Sequence, residues 1–271
     1  MTRGSIQLLS RDKVPLYSKL LSSVFKKNFY NERYFYWQYF ENPYGDAVGL
    51  DYIVKGRVVA HYACIPIQIG SNAKLSLLSL NTATDPEFQG QGLFKELALT
   101  TFDLSVGSFA SVMGVANSKS FPGFMKHLSF QHLGSLNLRY GKLISPHDVE
   151  QSVIYTAEFL DWRISSPRGG LKLIQDSNGT LVSKKVTRLG PTLHQYVALQ
   201  QNRNVTRDHS LSRVRSRKAL TIDWHSMDSP GKSIYLPEFL KPSPLNLIWR
   251  NLGNSGSQKP DYVSFLDFDA F

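Results

Sequence analysis

The chain has 271 residues, of which 42 % are hydrophobic and 19 % charged, with a formal net charge of +10 at pH 7. That apolar share supports a packed core and excludes a disordered chain, and the length suits one large domain or two small ones. The single cysteine, Cys64, excludes a disulfide framework and a cysteine zinc site; no apolar run reaches the roughly 18 residues of a spanning helix.

The N-terminus lacks a signal-peptide pattern, so the expected location is the cytoplasm. The positive balance attracts anions such as phosphorylated ligands. Its densest stretch is Arg203, Arg207, Arg213, Arg215, Arg217 and Lys218, interleaved with Asn, Ser and Thr. Few aromatics accompany it for base stacking, so nucleic acid is not the expected partner.

In chain order, Lys13 to Phe40 reads as helical, with Leu16, Leu20, Leu21, Val24 and Phe25 at helical spacing. Asn42-Pro43-Tyr44-Gly45 is turn chemistry. Strands are expected over Leu50 to Val54 and Arg57 to Ile69, joined by a tight hairpin at Lys55-Gly56, and again over Leu75 to Thr84. Asp85-Pro86 ends that strand, and Gly90 and Gly92 lead into a helix from Leu93 to about Leu104. Ala110 to Ala116 reads as a short buried strand, Phe121 to Leu128 as a short helix and Gln131 to Ile144 as one further strand.

The second half opens like the first. Glu158 to Arg163 precedes Pro167 and Gly169-Gly170, as Arg33 to Gln38 precedes Pro43 and Gly45; aligning Trp37 with Trp162 matches apolar positions. Strands over Leu171 to Gln175 and Thr180 to Arg188 flank Asn178-Gly179, a hairpin signal. These features suggest a weak internal repeat of about 125 residues. A polar loop, Asn251 to Pro260, precedes a final strand at Tyr262 to Asp267.

The most informative stretch is Thr82 to Leu97, TATDPEFQGQGLFKEL. A strand, a glycine turn and a helix in immediate succession point backbone N–H groups at one spot before a helix N-terminus. That arrangement holds a phosphate without a basic side chain. Side chains at positions 90 and 92 would hinder close backbone approach. The missing GK[ST] excludes a nucleoside-triphosphate P-loop, and the glycine spacing does not fit a dinucleotide turn.

Gln89-Gly90-Gln91-Gly92-Leu93 resembles the pyrophosphate loop of the GNAT N-acetyltransferases, patterned Arg/Gln-x-x-Gly-x-Gly/Ala. Gln89 and Gly92 match; Phe94 replaces the final small residue. Asn117, followed by a short helix and then Ser129-Phe130, resembles a second family motif at the right separation. The segment Trp37 to Gly45, the strand His61 to Pro66 and Asp267-Phe268-Asp269 further resemble a subgroup found beside bacterial surface-polysaccharide genes.

The resemblance implies an α/β (α+β) fold with a mixed, mostly antiparallel central sheet flanked by helices. It also implies a second, degenerate half: residues 1–145 would bind acetyl-CoA and residues 146–271 would close the acceptor cleft. The implied activity is acetyl transfer from acetyl-CoA to a primary amine, of an amino sugar or nucleotide-linked amino sugar. The cosubstrate would lie against Ala83 and Thr84, with the amides of Gln89, Gly90, Gln91, Gly92, Leu93 and Phe94 around its pyrophosphate and Asn117 near the thioester. Asn117 could equally cap the following helix.

The chain departs from the family at its acid and base: Phe124 stands where a tyrosine usually protonates the leaving thiolate, and Asn81 where a glutamate sometimes acts as base. His61 is the candidate base and Tyr36 a candidate acid, with Tyr62 as another; each also suits a structural role. Cys64 suits a buried side chain rather than a nucleophile. Asp267 and Asp269 could meet an acceptor amine or a metal, though such a pair near a terminus also suits plain surface. No spacing suggests a metal ligand set. Two alternatives remain: a tRNA-dependent aminoacyl transferase built from two such halves, and a non-catalytic acyl-CoA-binding protein. Nothing in the sequence specifies an oligomeric state.

Overall fold

The computed structural model describes residues 4–70, 74–144, 149–176, 179–185, 192–197, 218–226, 233–237, 244–253 and 256–268. An edge strand β1 (Ser5–Leu8) precedes α1 (Val14–Phe25) and α2 (Glu32–Phe40), two helices where the sequence suggested one continuous stretch. Lys26 ends α1 in the left-handed region at φ 52°. Asn31 starts α2, its side chain accepting the Tyr34 amide at 2.9 Å.

Strands β2 (Val48–Val54) and β3 (Arg57–Ile67) turn at Lys55 and Gly56, whose φ values of 49° and 73° suit a two-residue hairpin. β4 (Ser76–Thr84), α3 (Leu93–Ser105), β5 (Ser111–Ala116) and α4 (Phe121–His127) lie close to the expected boundaries. The single strand expected over Gln131 to Ile144 is instead two, β6 (Gln131–Ser135) and β7 (Asn137–Lys142), which belong to different sheets.

The second half supplies α5 (Ala157–Ile164), β8 (Leu171–Asp176), β9 (Gly179–Lys185), β10 (Thr192–Val197), β11 (Lys218–His225), β12 (Ile234–Tyr235), β13 (Asn246–Asn251) and β14 (Tyr262–Ser264). β8 and β9 pair as the expected hairpin, with Asp176 opposite Gly179. Asn178 lies outside the described residues, as do residues 198–217 with most of the basic stretch. β1 and β10 to β13 were not foreseen.

Seven strands form the main sheet in the order β1-β2-β3-β4-β5-β13-β6. Its neighbours are antiparallel except β4 and β5, so the sheet is mixed and mostly antiparallel. One apolar cluster joins α1, α2 and α5 to one face; a second packs α3 and α4 on the other. Two smaller sheets, β10-β9-β8 and β12-β7-β11-β14, complete the described topology.

The two halves exchange strands. β13, from the second half, lies between β5 and β6; β7, from the first, lies between β11 and β12. The registers match as well. Asn246 opposes Ala116 and Asn251 opposes Ser111, while Asn137 opposes Asp223 and Lys142 opposes Lys218. Residue 145 therefore does not divide the sheets, since each half completes a sheet of the other. A bidentate Arg139–Asp223 ion pair, buried between β7 and β11, fastens one exchange. The α2–α5 contact repeats the same symmetry. Trp37 Nε1 donates to Trp162 O at 2.7 Å, Trp162 Nε1 donates to Trp37 O at 2.9 Å, and the rings stack with centroids 4.8 Å apart.

Candidate functional site

β4 and β5 pair in parallel at only three positions, Leu77 with Val112, Leu78 with Met113 and Ser79 with Gly114. Beyond them β4 stays with β3 as far as Thr84, and β5 stays with β13 as far as Ala116. The two strands thus leave each other while each keeps its outer neighbour, which opens a fork in the middle of the sheet. A β4 edge without a ladder partner can accept an added extended chain.

The Gly90–Gly92 turn stands at the end of this fork. Gly90 and Gly92 have φ of 75° and 78°, and a Cβ on either would meet nothing within 4 Å. The constraint is therefore on backbone conformation, with clear space in front of the turn. Glu96 is the first α3 residue whose amide returns to the turn, donating to Gly92 O at 3.1 Å. The amides ahead of it face out of the helix end, where the dipole is positive. Gln89 bends its side chain back to Thr84 O at 3.2 Å, tying the turn to β4. Arg57 pairs with Asp85 at 3.1 Å just before it.

Phe94 explains how the turn accepts a large residue. Its ring lies 5.3 Å from Phe124 and 6.2 Å from Tyr62, and Gly123 leaves room for it, since a Cβ there would approach the ring to 3.2 Å. Phe124 is buried against Phe94 and Phe130 and offers no proton. Asn117 is exposed and its Oδ1 accepts the Lys119 and Ser120 amides at 2.9 and 3.0 Å, so that oxygen serves the turn into α4. Ala83 and Thr84 oppose His61 and Ala60 on β3.

On the α2 side of the fork lies a buried polar cluster. His61 is 1 % exposed, with Nδ1 2.7 Å from Asp51 Oδ1 and Nε2 2.9 Å from the Tyr39 hydroxyl. Tyr17 donates to Asp51 Oδ2 at 2.9 Å, and Lys13 Nζ lies 3.8 Å from the same oxygen. Asn81 Nδ2 reaches Tyr39 Oη at 3.1 Å and also Gln38 Oε1. Burial pushes the Tyr39 and Tyr17 hydroxyls above the ordinary tyrosine range, and nearby Asp51 adds to both shifts. Among the described residues, His61 is linked by hydrogen bonds to the fork through Tyr39 and Asn81. Gln38, Tyr39 and Asp51 were not foreseen. Tyr36 is half-buried on α2, its ring 6.4 Å from Phe40, and is not joined to this cluster by a described hydrogen bond.

Tyr62 is buried, its hydroxyl 2.9 Å from Ser79 Oγ at the fork's apex. Cys64 beside it is fully buried and its thiol is pushed up to about 12 by desolvation, so it is no nucleophile. Asp267 is buried too, accepting from Tyr155 Oη at 2.7 Å and from the Ser264 amide at 2.6 Å. It is thus committed within the second half rather than offered to an acceptor; Asp269 lies outside the described residues. Among the described residues no group of three or more His, Cys, Asp or Glu could hold a metal ion. Nor is any described helix long and apolar enough to cross a membrane.

No family model matches the chain, and no curated protein matches it in sequence. Solved structures share its fold. A conserved protein of Enterococcus faecalis V583, described as an N-acyltransferase candidate, superposes with a TM-score of 0.58 at 11 % identity over 93 % of this chain and 73 % of its own. An acetyltransferase candidate from Pyrococcus horikoshii gives 0.54 at 11 % identity over 96 % of this chain and 93 % of its own. Both likenesses run through both halves, and the fold is GNAT-like.

Proposed function

We propose that this chain is an N-acetyltransferase that moves an acetyl group from acetyl-CoA to a primary amine in a ternary complex, using one cosubstrate site in the first half. The observation that carries the reading is the left-handed Gly90–Gly92 turn, which sets the α3 amide end beside the open β4–β5 fork. The fit is favourable, since both glycines face clear space. The amides of Gln89, Gly90, Gln91, Gly92, Leu93 and Phe94 would surround the pyrophosphate, and the free edge at Ala83 and Thr84 would take the pantetheine arm. Asn117 keeps its Nδ2 for the ligand while Oδ1 serves the turn. Acetyl-CoA supplies the activated acyl group; this chain's residues bind it, align the amine and shield both from water.

Among the described residues the second half shows no equivalent opening. β10 lies against β11 without a ladder between them. Gln195 donates to Ile144 O at 3.1 Å, and the Tyr262 hydroxyl bonds Gln195 and lies 3.4 Å from Asp223. We therefore assign residues 1–145 as the cosubstrate-binding half and residues 146–271 as the half that closes the cleft, with β7 and β13 exchanged. An amino sugar, free or nucleotide-linked, is the proposed acceptor, on the strength of the sequence resemblance. A cytoplasmic location belongs to the same reading.

The test is thermal unfolding with and without acetyl-CoA. At 100 times its dissociation constant a ligand stabilises by about 2.7 kcal/mol. Gly92→Val should lose the shift, because a β-branched residue does not hold φ near 78°. An equal shift in both proteins would remove the turn from the site. The buried Phe124 and the amide at Asn81 favour a second reading, a non-catalytic acyl-CoA-binding protein. Binding without release of free thiol across a panel of amines would select it.

A further inference from the structure

We propose that Asn81 receives the acceptor amine without offering it a base, so that only amine already neutral in solution reacts and the enzyme selects weakly basic amines; this deepens the acetyltransferase reading and rests on it. Asn81 is a non-glycine residue at φ 50° within a strand. The β3–β4 register breaks there: His61 opposes Ala83 and Ala63 opposes Leu80, which leaves Asn81 and Thr82 together facing Tyr62. Such a bulge re-aims a side chain. Here it turns Asn81 towards α2, two residues past the last β4–β5 pair.

The orientation of the amide follows from the chain of hydrogen bonds behind it. Asp51 Oδ1 is an acceptor, so His61 Nδ1 carries the hydrogen in their 2.7 Å contact. In the neutral imidazole Nε2 is then the acceptor, and the Tyr39 hydroxyl donates to it. The Tyr39 oxygen must in turn accept, which requires Nδ2, not Oδ1, of Asn81 at 3.1 Å. Gln38 Oε1 takes a further hydrogen of the same amide. Both N–H hydrogens are spent inward, and Asn81 Oδ1 has no partner among the described residues. That oxygen sits on a half-buried residue where the fork opens.

An amide oxygen accepts an N–H but neither takes up a proton nor adds the charge that draws an ammonium. The groups behind it cannot take the proton directly, because Asn81 stands between them and the fork. They are Asp51 on β2, Lys13 just before α1, Tyr17 on α1 and Tyr39 on α2, all facing His61 or its carboxylate partner. His61 is thus a positioning residue that fixes Tyr39 and, through it, Asn81. Transfer balances without a protein base: the neutral nitrogen forms the N–C bond, the C–S bond breaks, and the proton shed by nitrogen ends on the thiolate. Amines like an α-amino group, with pKa about 7.7–8.0, are favoured over lysine-like amines near 10.4.

The experiment compares two small probes on the full chain with acetyl-CoA, glycinamide for the weak base and n-propylamine for the strong one, by release of free thiol. At pH 7 their neutral fractions differ by about 200–400-fold on those reference values. The glycinamide kcat/KM should exceed the propylamine value by more than about 100-fold and rise about tenfold per pH unit below the amine's own pKa. Asn81→Asp tolerates the left-handed backbone and adds a charge, so it should narrow the ratio at least about tenfold. Without cosubstrate, the Asn81 side-chain NH2 signals should exchange slowly with solvent in the parent and faster in Tyr39→Phe. Comparable rates for the two amines, turnover of neither by a protein that binds acetyl-CoA, or fast exchange in the parent would overturn the proposal. A protein that does not bind acetyl-CoA would overturn the acetyltransferase reading beneath it.

Discussion

Replacing Trp37 or Trp162 by phenylalanine tests whether the two halves are joined as symmetric equivalents. Each replacement keeps an aromatic ring in the 4.8 Å stack but removes one Nε1–H donor to a buried carbonyl on the partner helix; Trp162 O still accepts from the Ser165 hydroxyl at 2.9 Å. Trp37 is fully buried and Trp162 is 6 % exposed, so little water reaches either carbonyl. Loss of a buried hydrogen bond costs about 0.5–1.5 kcal/mol, and about 1–3 kcal/mol where the acceptor is left with no donor. At about 2–4 °C per kcal/mol for a chain of this order, each variant should melt about 1–12 °C lower. Equilibrium urea unfolding of both single variants and the double variant closes the cycle. Trp162→Phe should cost at least as much as Trp37→Phe, because Ser165 still serves Trp162 O, and the coupling should exceed about 0.5 kcal/mol because the residues touch. A costly Trp37→Phe beside a silent Trp162→Phe would refute the reciprocal contact.

Gly123→Val should press on Phe94, which a Cβ would already approach to 3.2 Å, at a cost of about 1–3 kcal/mol for overpacking. Through Phe94 it should also weaken acetyl-CoA binding, measured by calorimetric titration; unchanged affinity would separate Phe94 from the turn. Cys64 should resist iodoacetamide at pH 8 in the folded protein and react on unfolding, since burial raises its thiol to about 12. Labelling of the native chain, read by mass spectrometry, would contradict that burial. The Asp267 carboxyl is pushed above the ordinary aspartate range by desolvation, against opposing hydrogen bonds. The folded state then holds its proton more tightly than the unfolded one, so this group's stabilisation is full below the ordinary aspartate range and is lost as pH rises through the raised value. Asp267→Asn should lower stability at all pH values and remove that slope from urea midpoints measured across the acidic range.

What the sequence made legible was local. The Lys55-Gly56 hairpin and the Gly90–Gly92 turn depend on φ values that a few adjacent residues impose, and both sit where the pattern placed them. Trp37 and Trp162 could be aligned because their helices repeat the same aromatic chemistry. The strand exchange was not legible, because β7 and β13 obtain their neighbours from residues about a hundred positions away. The His61 cluster was hidden by a register change. An unbroken two-residue hairpin starting from Val54 opposite Arg57 would set Asp51 against Ala60. The irregularity between Tyr52 and Ile53 moves it opposite His61 instead. Asn31 before Glu32 was the available signal for the break between α1 and α2, a capping residue ahead of an acidic first turn.

Amide hydrogen exchange with and without acetyl-CoA tests the central claim most directly, since it locates the ligand along the backbone. Protection should appear at residues 80–84, 89–94 and 115–117, the two arms of the fork and the turn, with residues 192–197 and 218–225 of the second half unchanged. Protection confined to the second half, or none under conditions that saturate binding, would contradict a site built on the Gly90–Gly92 turn.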